Sequence, residues 1–441
     1  MVASQKYKNK KIAIYGMGIT GYSVAKNFKK LKTQIYCWDD NINIRNQVKK
    51  LKIPLSKFWL HAKSPDFIVI SPGIDINKCK IKEYLNKNLS KIITDLDLFF
   101  EINKDALMIS ITGTNGKSTT CKIMEKILKT AGYSVKTLGN IGNPVLSFQQ
   151  FKKKYIFILE VSSYQLQYSK IFRSKHAAIL NISPDHLERH KNINNYIKTK
   201  SKIFYAQNSS DYSYLNSHNK YSYLIKNVFK KKKIKSNLIF VEKSNCDFLL
   251  KKIDNQYFKS KGNLDNLAFA YRIAKNLKIS NRVIIKAINK FRTLKHRQEI
   301  IFSKNKVVCI NDSKATSFDA SLQSLSNYNN IYWILGGLPK YKDNFFLKTV
   351  KKKIVRAYLI GKSTTFFEKK IKGYIQYKIS YNLKKAIKHV YKDLKNSQEN
   401  KNLKKTILLS PAAASFDQFK NFESRGNYFR FLIKKYFIKI K

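Results

Sequence analysis

The chain has 441 residues, 43% of them hydrophobic, and sets 87 Lys and Arg against 27 Asp and Glu for a formal net charge of +60. That length allows two to four domains of ordinary core composition. The charge excludes an acidic disordered tail and leaves nucleic acid, membrane surfaces and anionic small molecules open as partners. Lysine accompanies abundant Asn, Ile, Phe and Tyr, all with A/T-rich codons, so most of the charge reads as solvated surface set by base composition. No apolar run approaches the roughly 18 residues of a membrane span. The short apolar stretch behind the first lysines runs into glycines, unlike a signal peptide. The cysteines (Cys37, Cys79, Cys121, Cys246, Cys309) form no CxxC pair, which suits a reducing cytoplasm and argues against disulfides or zinc.

Short β-rich runs alternate with longer helical ones, the pattern of an α/β protein. The pattern restarts at Lys11–Tyr15, Ala106–Ile111 and Lys306–Ile310. Three domains are therefore expected, over 1–93, 94–298 and 299–441, with boundaries near Thr94–Asp105 and Arg297–Asn305. Lys230–Lys235 reads as an exposed hairpin or loop.

Behind the first strand, Gly16, Gly18 and Gly21 open a helical run, and Asp39 follows roughly 20 residues later, the spacing of a dinucleotide fingerprint. The chemistry asks only for a diphosphate at a helix N-terminus, so nucleotide sugars fit as well as NAD. Ser71-Pro72-Gly73-Ile74, after the strand Phe67–Ile70, is placed to line the same crevice. The second loop, Thr112-Gly113-Thr114-Asn115-Gly116-Lys117-Ser118-Thr119, joins a strand to an amphipathic helix. Its backbone N–H groups can cradle phosphates, Lys117 can reach the β/γ-phosphates, and Ser118 or Thr119 can hold Mg²⁺. Ile111 stands where a strict P-loop has its first glycine, so the loop is a shortened variant. Glu160 ends the strand Tyr155–Leu159, where a buried carboxylate calls for a cation. His186 sits just past the strand Ala177–Leu180, beside Asp185, and is equally readable as a structural histidine.

These stretches, together with Tyr196–Lys200, Asn311–Thr316 and the run from Ser410 through Ser415, Phe422 and Arg425 to Gly426, resemble the Mur ligase family over most of the chain. The resemblance implies a Rossmann-like first domain, a central ATPase-type domain and a Rossmann-like third domain. It implies an amide ligase that phosphorylates the carboxylate of a UDP-sugar substrate with ATP and lets an amino acid attack the acyl phosphate. The C-terminal run points to the branch that adds D-glutamate to UDP-N-acetylmuramoyl-L-alanine in cytoplasmic peptidoglycan precursor synthesis.

By that resemblance Ile19, Thr20, Asp39, Gly73, Asn140 and His186 would meet the UDP-substrate. Gly113–Thr119, Asn266, Arg297, Asp312 and Lys314 would meet ATP. Thr316, Lys340, Ser415 and Phe422 would hold D-glutamate. Lys117, Glu160, His186 and Lys200 would be catalytic, with two Mg²⁺ ions on Ser118, Glu160, His186 and a carbamylated Lys200. A monomer with no nucleic-acid partner is implied. The sequence departs from the family pattern at Gly262-Asn263, at Gly336–Lys340 and at Asn41, where an arginine is common.

The third domain carries a local argument of its own. Strands Val307–Ile310, Ile331–Leu335 and Thr406–Leu409 all end in small or polar residues, and ligands sit at such carboxyl ends. A basic nucleic-acid-binding ATPase would show a stripe of lysines interleaved with stacking aromatics, whereas the lysines are spread over the chain. A dehydrogenase accounts for the first loop alone. An amide ligase with a different acceptor remains the nearest alternative.

Overall fold

The computed structural model describes residues 6–30, 33–50, 53–140, 143–147, 154–259, 261–340, 343, 345–396 and 403–438. The extreme ends of the expected first and third domains lie outside the described residues. The chain separates into two compact units, Met1–Lys259 with Asn263–Phe291, and Ser260–Gly262 with Arg292–Lys441.

The first unit holds two sheets. β1 (Lys11–Tyr15), β2 (Gln34–Trp38), β3 (Phe67–Ile70) and β4 (Ile92–Ile93) run parallel in the order β2-β1-β3-β4. β5 (Met108–Thr112), β6 (Val135–Gly139), β7 (Ile156–Glu160), β8 (His176–Ile179), β9 (Tyr212–Asn216) and β10 (Asn237–Val241) form a second parallel sheet, ordered β10-β9-β8-β5-β7-β6. In both, the chain reverses its direction of travel across the sheet, at β1/β3 and around β5. Such switch points open a crevice at the strand carboxyl ends. β5 and β7 are buried at every position, as a parallel sheet covered on both faces requires.

Helix Lys117–Thr130 forms because Cys121, Ile123, Met124, Ile127 and Leu128 recur on one face. That face packs with helices Lys261–Asn276 and Asn281–Asn289 in one core cluster. Glu125 bridges Lys122 and Lys129 on the outer side. The expected boundary at Thr94–Asp105 is occupied by helix Asp95–Ile102, whose Thr94 and Asp97 form a capping box. Asp97 also accepts the amide N–H groups of Lys170, Ile171 and Phe172, all at 3.0 Å, and stitches the two sheets together.

The second unit carries β11 (Glu299–Lys304), β12 (Val307–Asn311), β13 (Ile331–Gly336), β14 (Ile354–Ile360), β15 (Tyr377–Tyr381) and β16 (Lys405–Leu409), ordered β11-β12-β16-β13-β14-β15. All pairs are parallel except β11 with β12. β11 occupies the segment read from sequence as a boundary. Apolar clusters cover both faces of this sheet.

Lys230–Lys235 corrects the sequence expectation at its first two residues only, since Lys232–Lys235 lie in a turn and loop as read. Ile225 and Phe229, buried one turn apart, extend helix Ser222–Lys231 through Lys230 and Lys231, and the turn begins only after it. Several lysines end on main-chain carbonyls: Lys170 on Leu89 and Ser90, Lys202 on Gln167, and Lys353 on Ser326. Among the described residues no helix is long and apolar enough to cross a membrane.

Candidate active site

At the β1/β3 switch point Gly16 has φ +92° and packs so closely that a Cβ would lie 2.8 Å from Ser71 Cβ. Ser71 Oγ donates to Gly16 O at 2.6 Å, so the two loops line one crevice as the sequence suggested. The buried Asp39 accepts the amide N–H of Met17 at 2.6 Å and that of Asn41 at 2.8 Å, and so braces the glycine loop. Ile19 and Gly73 are exposed and Thr20 half-buried at the rim. At the position one turn past Asn41, Arg45 donates to Asp39 O at 2.7 Å and stacks on Trp38.

In the second sheet β5, β7 and β8 end side by side. Gly113 and Gly116 take φ +152° and +84°, and a Cβ on Gly116 would lie 2.2 Å from Asn266 Oδ1. Asn266 also accepts from Thr120 Oγ1 at 3.2 Å, which places it against the loop. Asn181, at the end of β8, clamps the loop from the other side: its Oδ1 accepts from Asn115 N at 2.9 Å and its Nδ2 donates to Asn115 O at 3.1 Å. Lys117 Nζ curls onto Gly113 O (2.7 Å) and Thr114 O (2.8 Å), while Ser118 and Thr119 are buried at the helix start. The amides of Thr114 and Asn115 are held by Asn181, and the loop runs straight into a helix N-terminus, the place in a fold that receives phosphate.

Glu160 is buried at the end of β7. Its Oε1 accepts from Asn140 Nδ2 at 3.0 Å, and its Oε2 is buried without a hydrogen-bond partner. Gly139, at φ +108°, lets Asn140 approach, since a Cβ there would lie 2.3 Å from Glu160 O. Lys200 is 2% exposed and donates to Gly113 O at 3.0 Å and to Thr112 Oγ1 at 3.3 Å. Burial, reinforced by the Lys117 charge, holds its pKa well below the usual lysine value, and the charges of Asp185 and Glu160 oppose that shift.

His186 has a left-handed backbone (φ +55°), and its Nδ1 lies 2.9 Å from the hydroxyl of Tyr164. Lys117, Glu160, Asn140, Asn266 and Lys200 are thus gathered about one loop, with Asp185 close enough for its charge to act on Lys200. Among the described residues no three His, Cys, Asp or Glu side chains cluster as a ready-made metal site. The orphaned Oε2 of Glu160 nevertheless suits a cation whose remaining ligands are hydroxyl and phosphate oxygens.

Arg297, Asp312, Lys314, Thr316, Lys340, Ser415 and Phe422 lie in the second unit, on loops after β12, β13 and β16 and on the segments flanking them. Asp312 is buried and accepts from the Ser324 hydroxyl, from Ser410 Oγ at 3.0 Å and from Gln298 N at 3.2 Å. Burial nevertheless pushes its pKa up to about 6. Lys314 Nζ sits 3.7 Å from the ring centre of Phe422. Ser415 is buried, and Thr316, Lys340 and Arg297 are half-buried. His296 and Gln298, on either side of Arg297, both have left-handed backbones.

Sequence reasoning passed over Tyr164, Asn181 as a clamp, and Arg189. The last donates to Ile74 O next to the first crevice and to Gln167 Oε1 at 2.8 Å. Only its position three residues past the strand-end motif that closes at His186 could have flagged it.

Three sheets whose carboxyl ends carry a glycine-lined crevice, a glycine-lysine loop at a helix start and a run of polar residues define an α/β phosphate-loop protein. Residues 111–284 match the family model for the Mur ligase middle domain, and residues 10–93 that for a MurD-like N-terminal domain of Mur ligases. A UDP-N-acetylmuramoylalanine--D-glutamate ligase of Rickettsia prowazekii (strain Madrid E) is 36% identical over 98% of this chain and 99% of its own. A ligase of the same name from a Wolbachia of Brugia malayi is 31% identical over 98% and 97%. Among solved structures, the MurF ligase of Thermotoga maritima in complex with ADP has a TM-score of 0.56 at 13% identity, covering 98% of this chain and 97% of that one. The UDP-N-acetylmuramate-alanine ligase of the same organism has a TM-score of 0.54 at 15% identity, covering 97% and 99%. The chain belongs to the Mur ligase family.

Proposed function

We propose that the chain is an ATP-dependent ligase that joins D-glutamate to the alanyl carboxylate of UDP-N-acetylmuramoyl-L-alanine, releasing ADP and phosphate, in cytoplasmic peptidoglycan precursor synthesis. The observation that carries this reading is the gathering of Lys117, Glu160 and Lys200 about the Gly113–Gly116 loop, in a chain so similar to relatives bearing that name.

The substrate carboxylate attacks the γ-phosphorus and displaces ADP. The amine of D-glutamate then attacks the acyl carbon and expels phosphate, while the amine proton passes to solvent. Lys117 follows the transferring phosphoryl group, and the loop amides fix it. Asn266, Arg297, Asp312 and Lys314 hold ATP. Ile19, Thr20, Asp39, Gly73, Asn140 and His186 orient the UDP-substrate, and Thr316, Lys340, Ser415 and Phe422 bind the acceptor.

Ser118 and Glu160 would hold one Mg²⁺, and His186 with Lys200 a second. Bound Mg²⁺ neutralises charge on the phosphate oxygens. Lys200 takes that role as a carbamate. Its buried amine, whose pKa burial lowers, attacks CO₂ and loses a proton, which leaves a carbamate oxygen as the ligand. The three domains are proposed at 1–93, 94–298 and 299–441, and the enzyme as a monomer. Phosphate release with ATP, Mg²⁺ and UDP-N-acetylmuramoyl-L-alanine should depend on D-glutamate across a panel of L- and D-amino acids. Release with L-lysine or diaminopimelate instead, or none with any of them, refutes the assignment.

A further inference from the structure

Arg425 stands in the most discriminating stretch of the sequence, yet the proposed reaction gives it no part. It lies on helix Phe422–Ile433 and is 1% exposed. Its Nε donates to Ser313 Oγ at 3.0 Å, and its Nη2 to Ser313 O at 2.8 Å and Ala413 O at 3.0 Å. All three acceptors are neutral. The remaining Nη1 is buried without a hydrogen-bond partner. It points at Gly337, where a Cβ would come within 3.3 Å of it.

Ser313, Ala413 and Gly337 belong to the loops after β12, β16 and β13, and these strands end next to one another in the sheet. The latter two loops are also joined directly, Leu338 N to Ala414 O and Ala414 N to Leu338 O, both at 2.9 Å. The acidic residue whose field reaches Arg425 is Asp417, and its carboxylate is bound instead to the amide of Lys362 at 2.9 Å. A guanidinium withdrawn from water with no carboxylate against it is costly to the fold. That cost is offset when an anion enters beside it.

We infer that Arg425 is a positioning residue of the acceptor subsite: it ties three strand-end loops into one wall, and its unmatched charge selects an acceptor that carries a second carboxylate. The inference rests on the proposed D-glutamate reaction and adds to it the reason that a dicarboxylic amino acid is chosen. Gly426 fits the same picture. A Cβ there would lie 2.2 Å from His296 Nδ1, so the helix can bring Arg425 under the loops only with glycine next to it.

The test uses the full chain with ATP, Mg²⁺ and UDP-N-acetylmuramoyl-L-alanine. Arg425→Gln should raise the KM for D-glutamate about tenfold while the KM values for ATP and the UDP-substrate stay within about twofold. Acyl phosphate trapped by hydroxylamine without D-glutamate should form as in the wild type. Arg425→Lys, which keeps the charge and loses the fork, should fall between the two. It decides the matter if the Gln variant does not fold. A D-glutamate KM moved by less than about threefold in the variants that fold, or all three KM values moving together, overturns the inference. Wild-type enzyme that uses a neutral or basic amino acid in place of D-glutamate overturns both this inference and the proposed function. Wild-type use of D-glutamate with unshifted variants overturns this inference alone.

Discussion

Replacing Asp312 by Asn should make the second unit more stable and the enzyme less active. Asp312 is buried, and its pKa rises from 3.8 to about 6 because burial outweighs the hydrogen bonds from Ser324, Ser410 and Gln298. Between those two values the folded chain keeps a proton that the unfolded chain has lost. Stability contributed by this group therefore falls as pH rises through that window and is flat above it. At 1.36 kcal/mol per pKa unit, the rise corresponds to about 3 kcal/mol. Asn keeps the shape, can still accept from Gln298 N, and can donate to the serine hydroxyls. Urea unfolding at pH 4, 5, 6 and 7 should show Asp312→Asn equal to the wild type at the acid end and up to about 3 kcal/mol more stable at pH 7. Its kcat for phosphate release should drop, because the proposed role at ATP needs the carboxylate. A variant less stable than the wild type at pH 7, or a difference that does not change with pH, refutes the reasoning.

Lys117→Ala should retain the fold, since its hydrogen bonds go to two loop carbonyls. It should lower kcat by a factor on the order of 10²–10³ in phosphate-release assays; a loss below tenfold would remove Lys117 from phosphoryl transfer. Lys200→Ala should abolish activity and recover part of it with short carboxylates, and ¹³C-labelled bicarbonate should give the wild type a carbamate signal that the variant lacks. Full activity of the variant rules the carbamate out. Gly116→Ala should cost on the order of 1–3 kcal/mol, because φ is +84° and the new Cβ meets Asn266 Oδ1. Calorimetry and the KM for ATP would register that cost, and an unchanged pair of values contradicts the packing.

The strand-then-glycine pattern made both loops of the first unit legible, because a positive φ beside a buried strand leaves glycine as the economical residue. The burial of Glu160 was legible on other grounds, because it ends an apolar run that becomes a fully buried strand. Lys200 was not, since among so many lysines nothing local separates it from a surface one. Its burial comes from packing under Gly113, more than 80 residues away in sequence. Asp312 could be placed at a strand end, but its tie to Ser410 comes from the crossover that brings β16 beside β12, and its tie to Ser324 from the helix after β12 folding back over the strand end. β11 escaped because an edge strand behind two left-handed residues looks like a linker. Lys230 and Lys231 misled through charge, whereas the buried Ile225 and Phe229 set the helix.

The lysines that end on main-chain carbonyls have a practical consequence. With 87 cations against 27 carboxylates, most ammonium groups have no anion to meet, and Lys170, Lys202 and Lys353 use peptide oxygens instead. Such contacts persist in salt, while the mutual repulsion of the surplus cations is screened over about 8–10 Å at physiological ionic strength. Dilute buffer is thus the harsher medium for this fold, and moderate salt the protective one, the reverse of a protein held together by surface ion pairs.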